Sequence, residues 1–261
     1  MYIPQSIQKI VGDAPYTCDN IGMSGSAVLC YADMVLKIEP ESEGFANQLA
    51  MLRWLEGKLP IPKVLQAVTE DGKQYLLMSR MPGKMACSPE YMADPDRFVQ
   101  QMADALHMLW QVDISACPKH HTLQDDLNKA QERVDQGLVR MDLVEPETFG
   151  PNGFENPAAL LTWLQENQPE LEPVLSHGDF CLPNVFLDDG QISGFIDLGD
   201  CGVSDKWRDI AICHRSLRHN FNGRYASNPV PDFDPDLLFE KLGIAPNWEK
   251  LRYYQLLDEL F

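Results

Sequence analysis

The stretch SHGDFCLPNVFLDDGQISGFID, residues 176–197, decides how the rest of the chain is read. It opens on His177-Gly178-Asp179, and Asn184 follows five positions after Asp179. A turn at Asp188-Asp189-Gly190 comes next. Ile192 to Ile196 then reads as a short buried strand that ends on Asp197. Two carboxylates and an amide carbonyl, held on a loop and at a strand end, suit a division of labour. One carboxylate can accept a proton, while the Asn oxygen and the other carboxylate ligate a hard cation such as Mg²⁺. Asp and Asn beside Pro or Gly are also ordinary turn residues, so no single member of the set is decisive. The joint pattern of HGDxxxxN, a turn and an apolar strand ending in Asp is the informative feature.

The surrounding composition is that of a globular protein. Of 261 residues, 44% are hydrophobic and 23% charged, which suits one large domain or two lobes sharing a cleft. No run of about 18 apolar residues occurs, so no membrane span is expected. The opening MYIPQSIQKIVGDAP lacks the basic segment and apolar core of a secretory signal. Seven scattered cysteines without a CxxC point to reduced thiols in a cytoplasm, against a disulfide framework and against structural zinc. A formal charge of −18 repels nucleic acid and anionic membranes and attracts cations.

Residues 1 to about 80 read as a strand-rich lobe. Strands are expected at 16–19, 27–31, 34–38, 64–68 and 74–78, the last two joined by the Asp71-Gly72 turn. The small-residue turn Gly22-Met23-Ser24-Gly25-Ser26 can bring backbone N–H groups to a phosphate or serve as a plain hairpin turn. Lys37 lies mid-strand on the face opposite Leu36 and Ile38. There it must snorkel to water or meet an anion, such as a nucleotide phosphate. EGFANQLAMLRWLEG at 43–57 reads as a helix, with Phe45, Leu49, Leu52 and Leu55 at three- and four-residue spacing. Ser79-Arg80-Met81-Pro82-Gly83 closes the lobe as a linker.

From about residue 84 the period turns helical. Asp94-Pro95 starts a helix whose stripe is Phe98, Met102, Ala105, Leu106 and Leu109, with His107 beside it as a structural histidine. His120-His121 reads as a solvated loop pair without a metal. A charged helix is expected at 123–138, an acidic loop at 141–150, and helices from Asn156-Pro157, from Ser204 or Asp205, at 234–242 and at 248–257. Asp209 is expected to be partly buried beside the 176–197 loop and to hold it by hydrogen bonds rather than react. The ending Leu257-Asp258-Glu259-Leu260-Phe261 puts acids where a helix dipole prefers cations. That violation fits either a cation site or a frayed end.

Together these parts resemble the aminoglycoside 3′-phosphotransferases over nearly the whole chain. The resemblance rests on Gly22-Met23-Ser24, Val35-Leu36-Lys37, WLEGKLP at 54–60, Leu77-Met78-Ser79, His177-Gly178-Asp179, CLPN at 181–184 and SGFIDLG at 193–199. It continues through Asp205-Lys206-Trp207 and Asp209-Ile210-Ala211 to the terminal LLDELF at 256–261. HGDxxxxN is shared by many small-molecule kinases, whereas the ending is more specific. The resemblance implies an α+β, protein-kinase-like two-lobe fold. Its N-terminal lobe, 1–82, would hold a five-stranded antiparallel sheet with a helix and end in a hinge; its C-terminal lobe, 83–261, would be mainly helical.

It also implies transfer of the ATP γ-phosphoryl group to the 3′-hydroxyl of kanamycin- or neomycin-type drugs, with ATP and Mg²⁺ as cofactors. The partner would be a cationic aminoglycoside, with no nucleic acid and no membrane, and the chain would be a monomer or weak dimer. By this resemblance Asp179 is catalytic, Asn184 and Asp197 hold the metal, and Lys37 grips phosphate. Met23 and Ser24 lie near the phosphates, Val35 lies against adenine, and Ser79 and Met81 pair with it. Asp142, Glu145, Glu147, Asp258, Glu259 and Phe261 with its carboxylate receive the drug's ammonium groups, which need carboxylates rather than an apolar pocket.

Three positions depart from the family. The helix residue that partners the strand Lys is Gln48 here, so either Gln48 bonds Lys37 or Glu43 reaches in. Val35 replaces an aromatic that stacks on adenine in some members. Gly199-Asp200 stands where Gly-Arg is frequent. Alternative readings are a kinase of another small hydroxyl substrate, a nucleotide-binding module without transfer, and a metal hydrolase using His177, Asp179 and Asp197.

Overall fold

The protein is described by a computed structural model covering residues 2–19, 26–42, 44–225 and 229–261. Strands β1 (Thr17–Asp19), β2 (Ala27–Cys30), β3 (Met34–Pro40), β4 (Val64–Glu70) and β5 (Lys73–Ser79) form one five-stranded sheet, ordered β1-β2-β3-β5-β4. Every pairing in it is antiparallel. The two-residue alternation of β3 sets its faces. Leu36 and Ile38 enter a core with Leu29, Tyr31, Tyr75 and Leu77, sealed by Ile7 and Val11 of helix α1 (Gln5–Val11). That helix lies in a stretch to which the sequence reading assigned no element.

Val35, Lys37 and Glu39 therefore share the other face. Helix α2 (Gly44–Leu55) buries Phe45, Met51, Leu52 and Leu55 in a second core, which includes Leu76 and runs on into the C-terminal helices. Those helices are α3 (Pro95–Trp110), α4 (Leu123–Asp135), α5 (Pro157–Glu166), α6 (Lys206–Phe221), α7 (Leu237–Leu242) and α8 (Trp248–Asp258). Side-chain oxygens start most of them. Asp94, Thr122, Asn156, Asp205 and Asn247 each accept a first-turn backbone N–H, and Pro occupies the first turn of α3 and α5. The helix expected at 123–138 stops at Asp135, and the one expected from Asp234 begins at Leu237.

Two small sheets lie among the helices. Strands β6 (Lys84–Met85), β8 (Val185–Asp188) and β9 (Gln191–Phe195) form one, and β7 (Pro173–Ser176) pairs with β10 (Gly202–Asp205) in the other. The linker after β5 is fastened to the β8–β9 hairpin. Ser193 Oγ donates to the Pro82 carbonyl at 2.7 Å. Gly83 has φ +80°, and a Cβ there would collide with the Leu187 carbonyl. His107 packs edge-on to Trp110, as a structural histidine does. The solvated His120-His121 pair is corrected: His121 is buried and bonds Asp126 Oδ1 at 2.6 Å. None of the helices among the described residues is long and apolar enough to cross a membrane.

A polar cluster ties α8 to the base of α6. Buried Lys250 donates to Glu172 at 3.0 Å and to Asp205 at 3.2 Å, and Trp207 Nε1 donates to Glu172 at 2.9 Å. Lys206, helped by Lys250 and Trp207, holds the Glu172 carboxyl at a pKa of about 2 against the upward push of burial. A depressed folded-state pKa stabilises the fold above the unfolded value, and that contribution is lost as pH falls through the folded value. Thermal melts should therefore decline between pH 4.5 and about 2. Glu172→Gln should flatten that part of the profile; an unchanged profile would remove Glu172 from the acid response.

Candidate active site

Strand β7 delivers the chain into the loop that begins at His177. Its shape is dictated by Asp209 in the first turn of α6. This fully buried carboxylate accepts from the Ser176 hydroxyl at 3.0 Å, the His177 amide at 2.7 Å and the Gly178 amide at 3.0 Å. Burial pushes its pKa up, although these bonds and His177 oppose the shift. Gly178 has φ +88°, and a Cβ there would collide with the Asp200 carbonyl, so only glycine fits. His177 Nε2 bonds the Ile196 carbonyl at 2.9 Å, and Nδ1 accepts from the Asp179 amide at 3.3 Å. Both ring nitrogens are thus engaged with backbone, which speaks against the metal-hydrolase reading. The ring packs against Phe180 and Phe195, with centroids 6.1 and 6.4 Å away.

Asn184 Nδ2 donates to the Asp179 carbonyl at 3.0 Å and to its Oδ2 at 2.9 Å. The Asn184 carbonyl accepts from the Ile196 amide at 3.0 Å, which sets Asn184 beside the end of β9. Asp197 follows in a left-handed conformation, φ +59° and ψ +56°. That conformation is uncommon for a residue with a Cβ and turns the carboxylate out of the strand direction. Lys37 Nζ reaches it from the sheet, 2.9 Å from Asp197 Oδ1 and 3.0 Å from Glu39 Oε1. Burial pulls the Lys37 pKa down, but the two carboxylates outweigh it and hold the ammonium above its ordinary value. Asp179, Asn184, Asp197 and Lys37 thus form one linked set.

Gln48 is buried in α2, yet the ion pairs of Lys37 among the described residues run to Glu39 and Asp197. Among the described residues no side-chain hydrogen bond joins Gln48 to Lys37, whose ammonium donates to Asp197. Glu43, Met23 and Ser24 lie outside the described residues. Val35 is on the Lys37 face of β3, paired across to Cys30 and Met78. Ser79 exchanges bonds with Lys63: its amide donates to the Lys63 carbonyl and its Oγ accepts from the Lys63 amide, both at 2.9 Å. Met81 lies against Gly194 at the foot of the linker.

The expected acidic wall divides. Glu145 Oε1 is 2.6 Å from His219 Nε2, 3.0 Å from Arg224 and 3.3 Å from Arg218. Its backbone N–H donates to Glu259 Oε2 at 2.9 Å. Arg215 pairs with Asp258 and, at 3.4 Å, with Glu259. Arg133 donates to the Leu260 carbonyl at 2.9 Å and to an oxygen of Phe261. Asp142 is exposed and pairs with Arg140 instead, at 2.8 and 3.0 Å. Glu147 is exposed on the same loop. Glu145, Asp258, Glu259 and Phe261 are therefore brought together, and Asp142 and Glu147 do not join their bonds. Asp200 pairs with Lys129 at 3.7 Å. Burial raises its pKa, but Lys129, Arg208 and His121 bring it below the usual carboxylate value.

The sequence profile described as the phosphotransferase enzyme family matches residues 20–254. The chain belongs to that family, alongside the aminoglycoside 3′-phosphotransferases. It is 41% identical to an aminoglycoside 3′-phosphotransferase of Enterococcus faecalis over 213 residues, covering 81% of this chain and 76% of that one. An aminoglycoside 3′-phosphotransferase of Niallia circulans is 34% identical, with 99% and 97% covered. Among solved structures, an aminoglycoside phosphotransferase of Streptomyces rimosus in complex with ADP and streptomycin superposes with a TM-score of 0.76. It is 26% identical and covers 97% of this chain and 95% of that one. A type VIII aminoglycoside-3′-phosphotransferase shares the fold at a TM-score of 0.78, with 98% and 97% covered.

Within this family member, the sequence reading missed the basic side chains that meet the wall. Arg215, Arg218 and His219 recur at three- and four-residue spacing toward the end of α6, a signal available in the sequence. Glu39 carries no motif of its own; its signal is an acid two residues past Lys37 on the same strand. Asp209 was anticipated, and its burial makes it testable. Asp209→Ala orphans three donors and should destabilise the fold by about 3–5 kcal/mol, read by urea denaturation. A loss below about 1 kcal/mol would mean the loop is held by other contacts.

Proposed function

We propose that the chain is an ATP-dependent aminoglycoside 3′-phosphotransferase acting on kanamycin- and neomycin-type drugs, and that it confers resistance to them. The observation that carries this reading is the linkage of Asp179, Asn184, Asp197 and Lys37 into one set, in a member of this family. In the proposed roles, Asp179 accepts a hydrogen bond from the drug hydroxyl and orients it toward the γ-phosphate. Asn184 keeps the Asp179 carboxylate in place. Lys37 grips the α/β-phosphates. Met23 and Ser24 approach the phosphates, Val35 lies against adenine, and the 79–83 linker acts as hinge between lobes 1–82 and 83–261 and offers the Ser79 and Met81 backbone to the base.

The donor set fits Mg²⁺. Asn184 Nδ2 is taken by Asp179, which leaves the amide oxygen as its ligand atom, and Asp197 supplies a carboxylate. Among the described residues no group of three His, Cys, Asp or Glu forms a metal cage of its own. Mg²⁺ does not need one, because it is held by one or two protein oxygens together with substrate phosphates and water. When bound it would supply charge neutralisation on the phosphoryl oxygens. Phosphoryl transfer otherwise demands positioning and electrostatics more than covalent chemistry.

Glu145, Asp258, Glu259 and the Phe261 carboxylate are the proposed receptors for drug ammonium groups, with Asp142 and Glu147 at the rim. The paired arginines keep these oxygens ordered. The proposed setting is the cytoplasm, where ATP and the drug's target meet.

The test is growth of a sensitive bacterium expressing the chain on kanamycin, beside an Asp179→Ala strain. The wild type should protect and the variant should not. General-base assistance alone is worth roughly 10²–10⁴ in rate, and loss of orientation adds to it. The purified variant should lose nearly all turnover while still binding ATP. Drug phosphorylation retained in Asp179→Ala, or no protection and no turnover on an aminoglycoside panel by the wild type, would overturn the reading.

A further inference from the structure

Lys37 is held by its own strand. Residues 37 and 39 of β3 point to one face, so a carboxylate two positions on lies beside the ammonium. Glu39 Oε1 is 3.0 Å from Lys37 Nζ, and the two side chains are only 25% and 15% exposed. The same Glu39 oxygen accepts from Ser26 Oγ at 2.7 Å. Ser26 precedes β2, where Ala27 pairs with Ile38, so it stands across from Glu39 at the next step of the register. The carboxylate is thus fixed from the neighbouring strand.

Helix α2 supplies no such group. Its sequence, GFANQLAMLRWL, contains neither Asp nor Glu. Its polar contact with the site runs elsewhere: Asn47 Nδ2 donates to the Gly199 carbonyl at 2.6 Å, within the turn that follows Asp197. Among the described residues, Lys37 is the only cation within salt-bridge distance of Glu39. Asp197, the other partner of Lys37, has a separate duty as a proposed metal ligand.

We propose that Glu39 is the positioning residue that holds Lys37 for the nucleotide phosphates, in place of a carboxylate on helix α2. The proposal rests on the phosphotransfer reading of Lys37. In protein kinases the lysine's carboxylate comes from a helix, and helix position controls the pair. Here both members are rigidly spaced on one strand of a sheet. The anchor is present whatever α2 does, and the site needs no helix movement to assemble it. Glu39 acts through Lys37 and is not a catalytic residue.

The test compares full-length wild type, Glu39→Gln and Glu39→Asp by steady-state kinetics with kanamycin and by calorimetric titration of MgATP. Glu39→Gln keeps the shape but not the charge. It should raise the ATP KM and the MgATP Kd about tenfold or more, while the kanamycin KM stays within about twofold. Glu39→Asp should recover part of the loss, which a merely structural role would not predict. Glu39→Gln with ATP KM and Kd within about twofold of the wild type, or with both substrates' KM values raised alike, would overturn the proposal. If Glu39→Gln fails to fold, the same split in Glu39→Asp decides the matter. If the wild type phosphorylates no aminoglycoside, the function reading fails, yet the MgATP titration still judges Glu39.

Discussion

A carboxylate removed from water persists as a structural element only when donors converge on it. Asp209 meets that condition with one hydroxyl and two backbone amides, and the loop at 176–179 is shaped by the requirement. Because Asp209 lies in the first turn of α6, the placement of one helix determines where Asp179 emerges. Asp205 caps that helix and takes part in the Lys250 cluster, so α8 also bears on the loop. Further along α6, Arg215 and Arg218 meet the acids of the wall. One helix therefore registers the Asp179 carboxylate against the surface proposed to hold the drug.

The wall also changes how the net charge of −18 should be understood. Its acids are not a bare anionic field. Arg215, Arg218 and Arg224 sit among them, and Arg133 holds the chain end. Two acids at the end of α8 would oppose the helix dipole if left alone; guanidinium groups from neighbouring segments offset them. Burial holds His219 down to a pKa of about 4, with Arg224, Arg218 and Arg215 reinforcing it against Glu145. His219 is accordingly neutral near pH 7 and offers no cation of its own to the site. The result is a surface of oriented carboxylate oxygens, which suits a polycation whose ammonium groups are spaced by rigid rings.

Much of this was legible because the informative residues obey local rules. HGDxxxxN followed by a turn and a strand ending in Asp197 located the candidate set that the fold brings together, and Asp94, Asn156 and Asp205 announced helix starts through capping chemistry. The five strands were readable from alternation and turn residues. Most of what escaped depends on pairings between distant segments, while His121 turns on a partner five residues away. The β7–β10 pair is too short to show a period, and α1 has only one turn of apolar anchors in Ile7 and Val11. His121 looks solvated next to His120, yet folding delivers Asp126 to it. The wall's arginines were visible individually, but nothing local says that Arg215 meets residues 258 and 259.

The Lys37 environment shows how such a gap can mislead. A family pattern directs the eye to the helix, where Gln48 makes the machinery look incomplete. The missing charge is two residues away on the strand. Moving it there separates two tasks that one helix carries in kinases. The strand and its Ser26 neighbour hold the lysine, while Asn47 of α2 holds the turn after Asp197. A helix that carries no charge for Lys37 is free to bury Phe45, Met51, Leu52 and Leu55 in the core that runs into the C-terminal helices. Gln48 can be uncharged at that position because a buried unpaired carboxylate beside such a core would be more costly than a neutral amide.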